Sequence, residues 1–208
     1  MDAFAYREDT DGWRPRHPIV CILDAIGFTI IIAFLYIYRP PLLVATLPLI
    51  MMLQYVVSIA YHWWPESGWR NKLDRSVIFM LIGATYVPFW GGLVEPDEAA
   101  VRLICVAIAV LIGVAFLIGG ASKLVIGLMY VAFTGTGLVV SFYELQAWLQ
   151  PGPLFAFWTG ALLYAAQHIA YSIRWPNPLP ELFGYRDVQH VLLVAATTTH
   201  AFIALEYL

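Results

Sequence analysis

Ionisable side chains are scarce in the apolar stretches of this chain, and the few present are of types that do chemistry. Asp24, His62, His168, His190, His200 and Glu144 fall within apolar runs, and Asp74 falls at the edge of one. A charged or imidazole side chain in such a run is costly to bury, and by default it faces a partner in a bundle interior. Ordered by depth, five of these groups share one level. His62 is near the end of its run, and Asp74 and His190 are near the starts of theirs. Asp24 is in the first third of its run. His168 is about six residues, or roughly 9 Å, from the end of its own. His200 is ten residues past His190, roughly 15 Å deeper along a helix. Glu144 lies towards the opposite face and reads as a solvated helix end. Imidazole nitrogens and carboxylate oxygens gathered at one level are donors that suit zinc, whose catalytic sites keep one position for water. The plainer reading has each imidazole hydrogen-bonding to a neighbouring helix.

The elements that must position these groups follow from composition. The 208 residues are 61% hydrophobic and 12% charged, with a mean hydropathy of +0.75. Ordinary soluble domains are about 45–50% apolar and about 25% charged, so a soluble globule is excluded. A spanning helix needs about 20 apolar residues. Seven such stretches are legible, at 18–38, 41–64, 76–94, 100–118, 122–147, 153–173 and 188–208. Between them stand Arg39-Pro40-Pro41, a polar loop from Pro65 to Arg75, Glu95 to Glu98, Gly119-Gly120, Gln150 to Pro153, and Trp175 to Pro178. Barrel strands would be shorter and alternating. The expected fold is an all-α integral membrane protein, a seven-helix transmembrane bundle over 18–208 after a short cytoplasmic tail at 1–17.

Charge sets the orientation. With the N-terminus inside, Arg7, Arg14, Arg16, Arg70, Lys72, Arg75, Lys123, Arg174 and Arg186 are cytoplasmic and only Arg39 and Arg102 are outside. That bias places the C-terminus outside. The level shared by His62, Asp74 and His190 is then the cytoplasmic one. The polar, arginine-bearing start has no signal-peptide pattern. A net charge of −3 argues against a nucleic-acid partner. Cys21 and Cys105 read as small buried or lipid-facing residues, not a disulfide. The eight Trp and twelve Tyr gather near span ends as an interfacial belt. Gly119-Gly120, Gly135 and Gly137 read as close-packing positions. Phosphate-loop and dinucleotide patterns are absent. Lys72 and Lys123 both lie at loops, which excludes a buried retinal Schiff base.

Two segments resemble the hemolysin III family, related to the adiponectin and progestin receptors. The first runs from Ser58, Tyr61 and His62 through a short basic loop to Lys72, Asp74, Arg75 and Ser76, then Gly83, Thr85, Tyr86, Pro88 and Phe89. The second runs from Arg174, Pro176, Asn177 and Pro178 to Phe183, Gly184, Tyr185, Arg186, Asp187 and His190, then His200. The resemblance covers nearly the whole chain and carries the same seven-span, N-inside topology. It implies that His62 and His190 are zinc ligands, that Asp74 holds the zinc-bound water, and that Ser58, one turn before His62, lies near the metal.

One departure matters. The family's other histidine in the last span sits four residues before His190, where this chain has Arg186, which cannot be a ligand. Asp187, on nearly the same helix face as His190, and His168, at the right depth, are the candidate replacements. A third outcome is a lost metal site in which Arg186 supplies the charge. A softer departure is Asp24, near which many bacterial relatives carry a histidine. If zinc binds, it lowers the pKa of bound water toward about 7, and Asp74 could serve as general base and acid. The resemblance implies an intramembrane, ceramidase-like hydrolase acting on a lipid amide or ester in a bacterial cytoplasmic membrane. Membrane lipids are the expected partners. The competing readings are a non-catalytic sensor of membrane lipid or fluidity and, last, a pore former, for which so few polar residues make a poor lumen.

Overall fold

The computed structural model of the chain describes residues 17–65, 67–179 and 182–208. The tail expected at 1–17 therefore lies outside the described residues apart from His17. Among the described residues the chain forms eight helices: α1 Pro18–Tyr38, α2 Leu42–Trp63, α3 Gly68–Leu93, α4 Pro96–Ile118, α5 Lys123–Val140, α6 Phe142–Trp148, α7 Pro151–Ile173 and α8 Tyr185–Tyr207. Their starts follow local chemistry. Pro18, Pro96 and Pro151 open α1, α4 and α7, where the missing amide proton has no helical partner to lose. Ser67 caps α3 by accepting from the Arg70 amide, and Ser122 caps α5 by accepting from that of Val125.

Six of these helices, α1 to α5 and α8, are long and apolar enough to cross a membrane. Helix α7 has comparable length, 23 residues, but Gln167 and His168 near its end dilute its apolar character. The outward faces fit a hydrocarbon solvent. Val101, Ile104, Ile108 and Leu111 on α4 are exposed, and only 17% of the α4 span and 11% of the α5 span is buried. A water-soluble monomer rarely leaves an apolar face of that extent uncovered. The chain is a multi-pass membrane protein.

Three sequence expectations are corrected. The polar loop expected from Pro65 to Arg75 is helical from Gly68 onward. The Ser67 cap starts α3 in polar sequence, ahead of the apolar run by which a span is read. The stretch expected to be continuous over 122–147 divides at Ser141, between α5 and α6. There the Trp90 indole N–H donates to Ser141 Oγ at 2.6 Å, with both residues buried. Glu144, just beyond, is not a solvated end: Arg102 bridges it at 2.7 Å and also pairs with Glu98 at 2.5 Å.

Successive long helices run in opposite directions, so the ends of α2, α4 and α7 share one side of the bundle with the starts of α1, α3, α5 and α8. The Lys72 ammonium donates to the Ile118 carbonyl at 3.0 Å on that side. Exposed Trp64, Trp69 and Trp175 mark this end, and exposed Tyr36, Tyr143 and Trp148 mark the other, as interfacial belts do. The densest packing joins α7 to α8, α2 to α3, α1 to α2, α3 to α4 and α1 to α8. A core of Ile31, Leu47, Met51, Tyr55, Leu81, Ala201 and Ala204 fills the centre of that arrangement.

Candidate functional site

The inward stripes of three helices carry polar groups at the same end. On α1 the buried face is Val20, Asp24, Gly27 and Ile31, a three-to-four-residue repeat that aims Asp24 at α8. On α2 the stripe Met51, Tyr55, Ser58 and His62 is buried, which places Ser58 one turn from His62 on one face. On α8 His190, Leu193, Thr197, His200 and Ala204 are buried. Where α1, α2 and α8 meet, these stripes bring Asp24, His62 and His190 together.

Their geometry is specific. His190 Nδ1 lies 2.8 Å from Asp24 Oδ1, and Asp24 is fully buried. The bonded carboxylate turns the other ring nitrogen, Nε2, away from α1. The His62 and His190 rings meet edge to face with centroids 5.1 Å apart. His17, immediately before α1, sets its ring 5.2 Å from that of His62, and its amide donates to the His62 carbonyl at 3.2 Å. Among the described residues Ser58 Oγ, Asp24 Oδ2 and Gln54 Oε1 are buried here without a hydrogen-bond partner. Asp74, half-buried on α3, accepts from the Gln54 amide at 3.4 Å and lies within electrostatic reach of His190 and Asp24. Asn71, one turn from Asp74, donates to the Tyr61 hydroxyl at 3.0 Å.

Of the six site residues expected from sequence, Ser58, His62, Asp74 and His190 come together at this end. Asp187 is nearby, but its Oδ2 accepts from the Gly184 amide at 2.8 Å and caps α8. His168 is half-exposed on α7, and among the described residues no ring contact or side-chain hydrogen bond joins it to the cluster. His200 is separate: its Nδ1 meets the Ala196 carbonyl at 3.0 Å, and its ring packs on Phe157 and Tyr164. Sequence reading passed over His17. The available signal was an imidazole directly before a helix-opening proline, at the level shared by His62 and His190. Arg186 also belongs to the cluster, with Nη1 at 3.4 Å from His17 Nε2.

With Zn–N near 2.1 Å and the ring centre roughly 1.2 Å behind the nitrogen, two imidazoles on one tetrahedral ion hold their centroids about 5.4 Å apart. The ring spacings at His62, 5.2 Å to His17 and 5.1 Å to His190, are a few tenths shorter. A carboxylate on the far nitrogen of a ligand imidazole is the usual outer-shell arrangement, and Asp24 occupies that position on His190. Among the described residues no three ligand side chains already converge on one point. As placed, His190 is held by Asp24 and His17 by Arg186. The residues are of the types that zinc takes.

A shallow apolar groove lined by Gly135, Leu138, Val139, Phe142, Tyr143 and Trp158 lies at the other end of the bundle and takes no part in this cluster.

Fold and site together define a class: polytopic helical membrane proteins with an imidazole and carboxylate cluster sealed between helices at one end. Residues 8–201 match the family described as haemolysin-III related. The chain belongs to that family.

Proposed function

We propose that this protein is a zinc-dependent hydrolase of a lipid amide or ester, built as seven spans with the N-terminus cytoplasmic, in the cytoplasmic membrane of a bacterium. The observation that carries the reading is the pair His62 and His190. They come from helices far apart in sequence, their rings meet edge to face with centroids 5.1 Å apart, and Asp24 braces the second. A zinc ion supplies Lewis acidity, which polarises a carbonyl and acidifies water.

The chain's own residues do the rest. His62 and His190 hold the ion, and Asp24 fixes the His190 tautomer and ring orientation. Asp74, tethered by Gln54, takes a proton from the attacking water and returns it to the leaving group. Ser58 Oγ, buried beside His62, offers a hydroxyl to the substrate carbonyl. The cluster lies buried between apolar helices at the level of the interfacial belt, the depth at which a long-chain lipid carries its polar linkage.

Metal analysis of detergent-purified protein tests the reading. One zinc per chain is expected, with loss in His62→Ala and His190→Ala, together with zinc-dependent release of fatty acid from a long-chain ceramide. No zinc in the wild type after growth with added zinc would overturn it. Reporter fusions at the two termini test the topology, with opposite sides expected. One observation favours a second reading, a metal-free sensor: Arg186 puts a permanent cation beside the cluster, 3.4 Å from His17.

A further inference from the structure

We propose that His17 supplies the third imidazole of the metal site, in place of the one that Arg186 removes from α8. The inference rests on the zinc reading above and assigns a ligand that the last span cannot provide.

Three observations on separate atoms carry it. The His17 ring stands 5.2 Å from that of His62, matching the 5.1 Å between His62 and His190. Its backbone is fixed to the site by the amide bond to the His62 carbonyl at 3.2 Å, and Pro18 follows it at the first position of α1. The imidazole is therefore anchored at the cluster and not borne on a loose tail. The third observation is Arg186. A guanidinium is a donor only, so its approach to His17 Nε2 at 3.4 Å requires that nitrogen to present its lone pair. The cation thus sits on the lone pair that an ion would take.

The alternatives are weaker on the same ground. Asp187 Oδ2 is engaged in capping α8 at 2.8 Å. His168 makes no ring contact or side-chain hydrogen bond with the cluster among the described residues. In this arrangement Arg186 competes with the metal for His17 and, on metal binding, withdraws towards Tyr185, whose hydroxyl already meets its Nε at 3.3 Å.

The test is zinc affinity by competition with a chromophoric chelator, and the visible spectrum of the cobalt-substituted protein, on purified full-length chain. His17 makes no side-chain capping bond to α1, so His17→Ala and His17→Gln leave the helix start intact; a monodisperse elution profile checks the fold. Both are expected to lose more than the roughly 10–100-fold in affinity that removal of an outer-shell partner costs, and to lose the intense tetrahedral cobalt bands. His168→Ala is expected to match the wild type, and Arg186→Gln to bind more tightly. Wild-type affinity and spectrum in both His17 variants would overturn the assignment and leave the zinc reading standing. A wild type that binds neither metal would overturn both.

Discussion

Asp24 is the position where the reasoning is most exposed. Replacing it with Asn preserves side-chain shape and leaves an oxygen to accept from His190 Nδ1, now 2.8 Å from the carboxylate. What disappears is the charge. A hydrogen bond to a charged group contributes about 1.5–3 kcal/mol and a neutral one about 0.5–1.5, so the loss is roughly 1.5 kcal/mol, or about tenfold in affinity. That lies at the lower edge of the range seen for outer-shell partners of metal ligands. In the metal-free protein the sign differs. Asp24 is fully buried, and neutralising a carboxylate in an apolar bundle offsets the weaker bond, so unfolding in detergent is expected at an unchanged or higher temperature. With zinc at a hundred times the wild-type Kd, bound metal stabilises the wild type by about 2.7 kcal/mol and the variant by about 1.4. Chelator competition and paired thermal melts, with and without zinc, read both effects. A variant with wild-type zinc affinity would refute the idea that Asp24 orients a ligand. A metal-free variant that is severely destabilised would make the Asp24–His190 pair a structural bond and nothing more.

Three further outcomes follow from particular contacts. Ser58→Ala removes a buried hydroxyl that has no partner among the described residues; it is expected to hold or raise the melting temperature while lowering zinc-dependent turnover, and a stability loss without an activity loss would reverse that role. Ser141→Ala leaves the buried Trp90 indole N–H without its acceptor and is expected to cost about 1–3 kcal/mol. Adding Trp90→Phe should cost less than the two single losses summed, and a fully additive cycle would contradict the pairing. Gly137→Ala places a methyl inside the Tyr86 ring volume, whereas a methyl at Gly135 meets nothing within 4 Å. The first is expected to destabilise by about 1–3 kcal/mol and the second to be neutral or better, with equal melting temperatures as the refuting result.

The fold was legible because lipid selects for long apolar runs, although Pro96 and Pro151, read as parts of the breaks between runs, open α4 and α7. What escaped was structure in polar sequence. The first turns of α3 carry Trp69 to Arg75, which hydropathy alone reads as loop. The break at Ser141 is invisible to hydropathy because its cause is an indole from α3, distant in sequence. Depth reckoning brought Asp24, His62, Asp74 and His190 to one level, since helical rise converts position into height. It carried no information on azimuth. His168 shares the level and misses the cluster because it lies on another face of α7. His17 was passed over because it stood outside the apolar run, and depth was counted only within runs.

The bond between Asp24 and His190 joins residues at opposite ends of the chain, and this bears on how the protein is made. During synthesis α1 enters the membrane first and α8 last. Through every intermediate stage Asp24 sits in the bilayer without its imidazole, a costly state for a carboxylate in hydrocarbon, while His17 and His62 wait beside a gap. Arrival of α8 closes the ring of helices and gives that acid its imidazole partner in one event. A chain stalled or truncated before α8 is therefore marked by an unsatisfied acid in its first helix.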